Sequence, residues 1–272
     1  MLSEPSRPKL DIAMPVHNEG KSIEKTLLEW YDELRPHVDV RFIIAEDGSK
    51  DNTKSVLKKL EGRLPILLDM VDARRGYGGA MTAALRASSS PYVLTSDSDG
   101  QSDPKDFWRV WSMRESFDLV VGWRVNRADA LSRKVMSKSF GLWHKLLFGT
   151  RLHDPSCNIM LMKRSVIDRL VPKVGLLSEG FQWEFVARAL KAEIKIGEVP
   201  INHRLRASGS TVVYKPTRVP GIAWRNGVGL MKIWLDREPR VSPAVEVIQG
   251  DGRQGAELDG HARAAGLQIP DR

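Results

Sequence analysis

The chain has 272 residues, 42% of them apolar and 28% charged, with 42 Lys and Arg against 34 Asp and Glu for a net charge of +8. This composition specifies a folded protein with a sizeable core and excludes both a disordered chain and a multispan membrane protein. One cysteine, Cys157, excludes an internal disulfide framework and a multi-cysteine zinc site.

Residues 1–9 form a polar lead with two prolines and lack the apolar centre of a signal peptide. Apolar runs follow at 10–14, 41–45, 66–71, 92–95 and 119–121, and helical patterns separate them at 22–34, 52–60, 79–87 and 104–116. Strand and helix alternating at this spacing predict βαβ units, hence an α/β fold built on a mainly parallel sheet. Further on, 132–148 and 179–192 read as helices and 194–201 as a strand. Residues 217–236 read as an amphipathic helix, and 238–272, rich in Gly, Ala and Gln, as a mostly disordered tail. No run approaches the roughly 18 uninterrupted apolar residues of a spanning helix. The expected location is therefore the cytoplasm or the cytosolic face of a membrane.

The basic excess is segregated. Residues 119–153 and 199–235 each carry a net +6, which leaves −4 for the rest. Two basic patches on a mildly acidic body suit phosphate groups on a nucleotide, a lipid or a membrane surface. A solvated basic face is the plainer alternative.

In a parallel sheet, ligands bind beyond the carboxyl ends of the strands. Those ends carry Pro15-Val16-His17-Asn18-Glu19-Gly20, Glu46-Asp47-Gly48-Ser49-Lys50-Asp51, Asp72-Ala73-Arg74-Arg75-Gly76-Tyr77-Gly78-Gly79 and Asp97-Ser98-Asp99-Gly100-Gln101. Each alone is compatible with turn chemistry, but four such loops on one edge point to a site. Asp97 and Asp99, with Gln101, offer hard oxygen ligands to Mg²⁺ or Mn²⁺, which keeps coordination positions for substrate phosphates. A calcium loop would need Gly and Glu where Ser102 and Trp108 stand. The glycines at 76, 78 and 79 follow the third strand and do not match the dinucleotide fingerprint, so NAD binding is not expected; they leave open a helix N-terminus approaching a diphosphate.

These motifs, Pro15-x-His17-Asn18-Glu19, Glu46-Asp47-Gly48-Ser49-x-Asp51-x-Thr53, Arg75-Gly76-x-Gly78 and Asp97-x-Asp99, resemble family 2 glycosyltransferases, which have the GT-A nucleotide-diphospho-sugar transferase fold. Val120 to Arg124, the Arg133 and Ser137 pair, Asp154-Pro155-Ser156-Cys157, Glu198 to Ile201 and Arg206-x-x-Gly209-x-Thr211 are similar to the polyprenyl-phosphate, dolichol-phosphate mannose synthase-like branch. The resemblance covers about residues 10–215 and implies an inverting, metal-dependent transfer of a sugar from a nucleotide-sugar to a polyprenyl phosphate. It implies donor-nucleotide contacts from Pro15, Asn18, Glu19, Asp47, Arg75 and Gly76. It also implies metal contacts from Asp97, Asp99 and Gln101, and acceptor-phosphate contacts from Arg124, Arg133, Ser137 and Arg206. Asp154 and Glu184 are further catalytic candidates near the sugar. Two departures, Ser156-Cys157-Asn158-Ile159-Met160 in place of Thr-x-Gly-Phe-Arg, and Thr211 in place of serine, leave the sugar undefined.

A lipid phosphate, already anionic, needs positioning by arginines more than a base, whereas a hydroxyl acceptor needs a base. The rival readings are a family 2 enzyme with a soluble or protein hydroxyl acceptor, a metal-dependent nucleotidyltransferase, and a non-catalytic anion-binding module. Nucleic acid is not expected as a partner, because Asp47, Asp97 and Asp99 would repel its backbone. Arg218, Arg225 and Lys232, each seven apart, stand against Trp224 and Trp234 on 217–236, as on an interfacial helix. Attachment would be peripheral, directly on the membrane or through a membrane-anchoring protein partner.

Overall fold

The computed structural model describes residues 6–125, 131–177, 179–204, 219–236 and 245–247. The expected α/β architecture is present. An eight-stranded mixed sheet has the order β3-β2-β1-β4-β6-β5-β7-β8. Its strands are β1 Lys9–Val16, β2 Asp39–Asp47, β3 Ile66–Val71, β4 Tyr92–Thr95, β5 Leu119–Arg124, β6 Met160–Lys163, β7 Ile196–Ile201 and β8 Val245–Val247. β1 pairs in parallel with β2 and β4, and β2 with β3. β6 runs antiparallel to both β4 and β5, and β5 is parallel to β7. The carboxyl ends of β1 to β5 and of β7 therefore share one edge.

The helices are α1 Ile23–Leu34, α2 Thr53–Glu61, α3 Gly76–Ala87, α4 Phe107–Ser112, α5 Leu131–Phe148, α6 Arg164–Leu170, α7 Phe181–Lys191 and α8 Val219–Leu235. Ile23, Leu27, Trp30 and Leu34 show why α1 forms where it does: their spacing makes one buried stripe. Each such side chain, fully buried, contributes roughly 1.5–3 kcal/mol. α1 packs beside α2 and the 3₁₀ turn at Pro104–Asp106, whereas α3, α6 and α7 pack together. α5, α7 and α8 contact one another.

Ile12, Ala13 and Met14 of β1 and Ile44 and Ala45 of β2 are fully buried. Pro15 is tolerated in this central strand because the ladder to β4 ends at the pair Ala13 and Thr95. Asp11 is buried with them. Arg41, its register partner on β2, donates two hydrogen bonds of 2.9 Å, and the Ser89 and Ser90 amides complete its shell.

The structure adds β6 and α6, which were not foreseen, and α4 is short and preceded by the 3₁₀ turn. β8 lies within 238–272, the expected tail, whose other residues fall outside the described ones. Among the described residues, no helix is long and apolar enough to cross a membrane.

Candidate active site

The first two loops lock together. The Asn18 amide donates to Ser49 Oγ at 2.9 Å, and Asn18 Oδ1 accepts from the Lys50 amide at 2.8 Å. The Glu19 amide donates to Thr53 Oγ1 at 2.9 Å, while Glu19 Oε2 accepts from Ser22 Oγ at 2.6 Å. His17 Nδ1 meets the Asp47 carbonyl at 2.8 Å. Asn18 adopts a left-handed backbone, φ 55°, a conformation its short amide tolerates, and its side chain is exposed at the edge. Pro15 and Glu19 are buried. They shape the wall behind Asn18.

Asp47, expected on the nucleoside, holds the start of α3. It is buried, and its carboxylate accepts the Arg75 amide and, at 3.1 Å, the Gly76 amide, with Arg74 Nε at 3.4 Å. An acid thus satisfies the first backbone donors of α3, as a helix N-terminus favours. Gly76 has φ 77°, and a Cβ there would meet nothing within 4 Å, so the backbone angle and not space demands glycine. Arg75 reaches Asp69 at 2.7 Å.

Beyond β4, Asp97 and Asp99 are both half-buried, with Ser98 buried between them. Tyr77 Oη donates to Asp97 Oδ1 at 2.8 Å, and the Gln101 amide donates to Asp99 Oδ1 at 3.1 Å. Gln101 Nε2 donates to the Arg204 carbonyl at 3.2 Å, which defines the oxygen end of its side chain. A residue bridge from Ser102 to His203 and an ion pair from Arg204 to Asp103 at 2.7 Å hold the segment just after β7 against this loop. Two carboxylates and an amide oxygen are the hard donors that Mg²⁺ and Mn²⁺ take. Among the described residues, no group of three or more His, Cys, Asp or Glu could hold a metal alone. The residues present fit a cation whose remaining positions would be left to phosphate oxygens and water.

On the other side of β6, Arg124 and Asp154 form a closed pair. Arg124 Nε and Nη2 donate to the two carboxylate oxygens at 2.7 and 3.0 Å, Nη2 also reaches Ser156 Oγ at 2.8 Å, and the side chains are 9% and 6% exposed. Arg124, expected on the acceptor phosphate, and Asp154, expected near the sugar, are thus placed against each other. Glu198 underpins this corner. It is fully buried and accepts the His153 and Asp154 amides at 2.9 Å and His153 Nδ1 at 2.8 Å. Burial raises its pKa, and the His153 and Asp154 amides oppose that rise. His153 stacks on Trp123 with ring centroids 4.1 Å apart.

Glu184, expected near the sugar, is fully buried on α7 and accepts the Gly175 and Leu177 amides at 3.2 and 2.7 Å and Arg188 Nε at 2.9 Å. It thereby holds the 175–177 segment. Ser137 lies half-buried on α5. The Arg133 side chain and all of Arg206 and Arg218 lie outside the described residues. Cys157 is fully buried, and burial pushes its thiol up to about 12. Tyr77, Gln182 and Glu198 were given no role by sequence reasoning. The one available signal was an acid at position 198 inside an otherwise apolar strand.

A mixed α/β sheet with an Asp-x-Asp loop beyond a central strand and glycine- and acid-rich loops along the same edge defines a GT-A nucleotide-diphospho-sugar transferase fold. The model for glycosyl transferase family 2 matches residues 11–171, and the chain belongs to that family. It is 31% identical over 210 residues to the dodecaprenyl-phosphate galacturonate synthase of Rhizobium johnstonii, covering 74% of this chain and 60% of that one. It is 26% identical over 215 residues to the dolichyl-phosphate beta-glucosyltransferase of Dictyostelium discoideum, covering 71% and 65%. The chain thus spans 60% and 65% of the length of these two relatives. Its fold is similar to glucosyl-3-phosphoglycerate synthase from Mycobacterium tuberculosis in complex with Mn²⁺, uridine diphosphate and phosphoglyceric acid, with a TM-score of 0.61, 16% identity, and 84% and 78% of the two chains covered.

Proposed function

We propose that this chain transfers a sugar from a nucleotide-sugar to a polyprenyl phosphate at the cytosolic face of a membrane. The observation that carries the proposal is the charge layout around the edge: carboxylates gather beyond β4, while α5 and α8 contain no acidic residue. The relatives named above are polyprenyl-phosphate sugar transferases by name, which agrees with it.

The donor lies along the loops after β1, β2, β3 and β4, with Asn18 and the Gly76 turn on the nucleotide. Asp97, Asp99 and Gln101 would hold Mg²⁺ or Mn²⁺, which would supply positive charge against the departing diphosphate. The acceptor phosphate attacks the anomeric carbon from the opposite side. It needs no general base, because it arrives ionised. Arg133, Ser137 and Arg206 orient it through charge-assisted hydrogen bonds. Arg124 and Asp154 give that corner its shape by holding each other.

The membrane contact is assigned to α8 and its neighbour α5. Ile222, Leu230 and Ile233 of α8 are buried, and Leu230 and Ile233 pack with Leu177 and Ala187 against Phe140, Trp143 and Leu147 of α5. This face of α5 is therefore partly core. Trp224, Val228, Met231 and Leu235 form a second stripe on α8 and stay exposed, Trp224 to 75%, as do Leu142 and Leu146 on α5. Exposed Lys138, Lys145, Arg225 and Lys232 accompany them. Aromatic and aliphatic residues flanked by basic ones suit an anionic lipid surface. A panel of nucleotide-sugars, each incubated with and without polyprenyl phosphate and Mn²⁺, tests the proposal. Transfer that occurs only to water-soluble hydroxyl acceptors overturns it.

A further inference from the structure

We propose that Tyr77 is a positioning residue that fixes the orientation of Asp97, and that Gln182 fixes Tyr77 in turn. The inference rests on the reading of Asp97 as a metal-holding carboxylate.

Three elements meet at one phenol oxygen. Tyr77 opens α3, Asp97 follows β4, and Gln182 lies in the first turn of α7. Tyr77 Oη is 2.8 Å from Asp97 Oδ1, and Gln182 Nε2 donates to the same oxygen. The direction of this relay is fixed by valence. An ionised carboxylate only accepts, so the single phenol hydrogen goes to Asp97, and the phenol lone pair is left for the Gln182 amide.

The anchor is rigid. The backbone amide preceding Tyr77, that of Gly76, is bound by buried Asp47. A carboxylate at a strand end has a broad terminal torsion. Holding one oxygen by a donor on a pinned helix narrows that torsion before a cation arrives. Outer-shell partners of this kind commonly change metal affinity by about 10- to 100-fold.

The test uses Mn²⁺ as probe, titrated alone and with uridine diphosphate, with unbound Mn²⁺ read by electron paramagnetic resonance. Tyr77→Phe keeps the ring and removes the donor. The expected result is Mn²⁺ binding weakened about 10-fold, with the melting temperature and the KM for the acceptor retained. Gln182→Leu is expected to weaken Mn²⁺ in the same direction by a smaller factor. Asp97→Asn separates the two levels of the argument. Wild-type Mn²⁺ affinity in Tyr77→Phe, with weakened affinity in Asp97→Asn, overturns the role of Tyr77 alone. Wild-type affinity in both overturns the metal assignment and the inference with it. If Tyr77→Phe does not fold, Gln182→Leu decides, and wild-type Mn²⁺ binding there refutes the relay.

Discussion

His144 sits where α5 meets α7, fully buried. Its Nε2 lies 3.3 Å from the Trp183 carbonyl, and its Nδ1 has no hydrogen-bond partner among the described residues. The Phe148 and Trp183 rings lie 4.9 and 5.5 Å from its own. Burial lowers its pKa from 6.5 to about 4, with the Trp183 carbonyl opposing. Between those values the unfolded chain binds a proton that the folded chain refuses, so stability falls as pH drops from 6.5 towards 4. At about 1.4 kcal/mol per pH unit the full penalty is about 3 kcal/mol, of which about 2 kcal/mol is felt by pH 5. His144→Phe keeps an aromatic ring in the site and abolishes the titration. It also loses the bond to Trp183, a pH-independent cost of about 1 kcal/mol. Urea unfolding of both proteins at pH 7.5 and pH 5 is the assay. The variant should be the less stable protein at pH 7.5 and should lose about 2 kcal/mol less than wild type on acidification. Equal losses would refute the reasoning.

Asp154→Asn breaks the buried pair with Arg124 and should cost about 3–5 kcal/mol, read by thermal or urea unfolding; a change below about 1 kcal/mol would mean that Arg124 finds another partner. Asp99→Ala should abolish transfer while leaving the circular dichroism spectrum and melting temperature intact, and full activity of the wild type in excess EDTA would contradict the metal role. Replacing Trp224 and Met231 together by Ala should reduce co-sedimentation with anionic liposomes without unfolding the chain, because both side chains are exposed. Binding by the wild type should weaken but persist as salt rises, and equal sedimentation of both proteins would move the contact elsewhere.

The first strands were legible because β1, β2 and β3 are apolar runs closed by Gly, Asp and Asn loops, and their parallel order follows from the helices between them. β6 was not legible. Its four residues, Met160–Lys163, carry no alternation, and its antiparallel insertion between β4 and β5 is a tertiary pairing that no local period encodes. The start of α3 was read three residues late, because glycines at 76, 78 and 79 look like a turn until Asp47 is seen holding the Gly76 amide. The site was legible as an inventory of polar loops on one edge, but its internal pairings were not. Asp47 with Gly76, Arg124 with Asp154 and Asp154 with Glu198 are separated by 29, 30 and 44 residues. A carboxylate's partner across such distances is set by strand order. For that reason the sequence alone does not show that Asp47, Arg124 and Glu184 hold backbone and side chains in place. Tyr77 occupied the variable position of a glycine motif, and only the approach of α3 and α7 to the β4 loop gives it meaning.

The central claim is that the acceptor is a phosphate on a lipid. With an active nucleotide-sugar and Mn²⁺ in hand, the most direct measurement compares initial rates on a polyprenyl phosphate and on the polyprenol with the same chain, followed by mass spectrometry of the lipid product. The account predicts transfer to the phosphate, a sugar joined through a phosphodiester, and no transfer to the alcohol. Equal rates on both lipids, or a sugar linked directly to the alcohol, would contradict it.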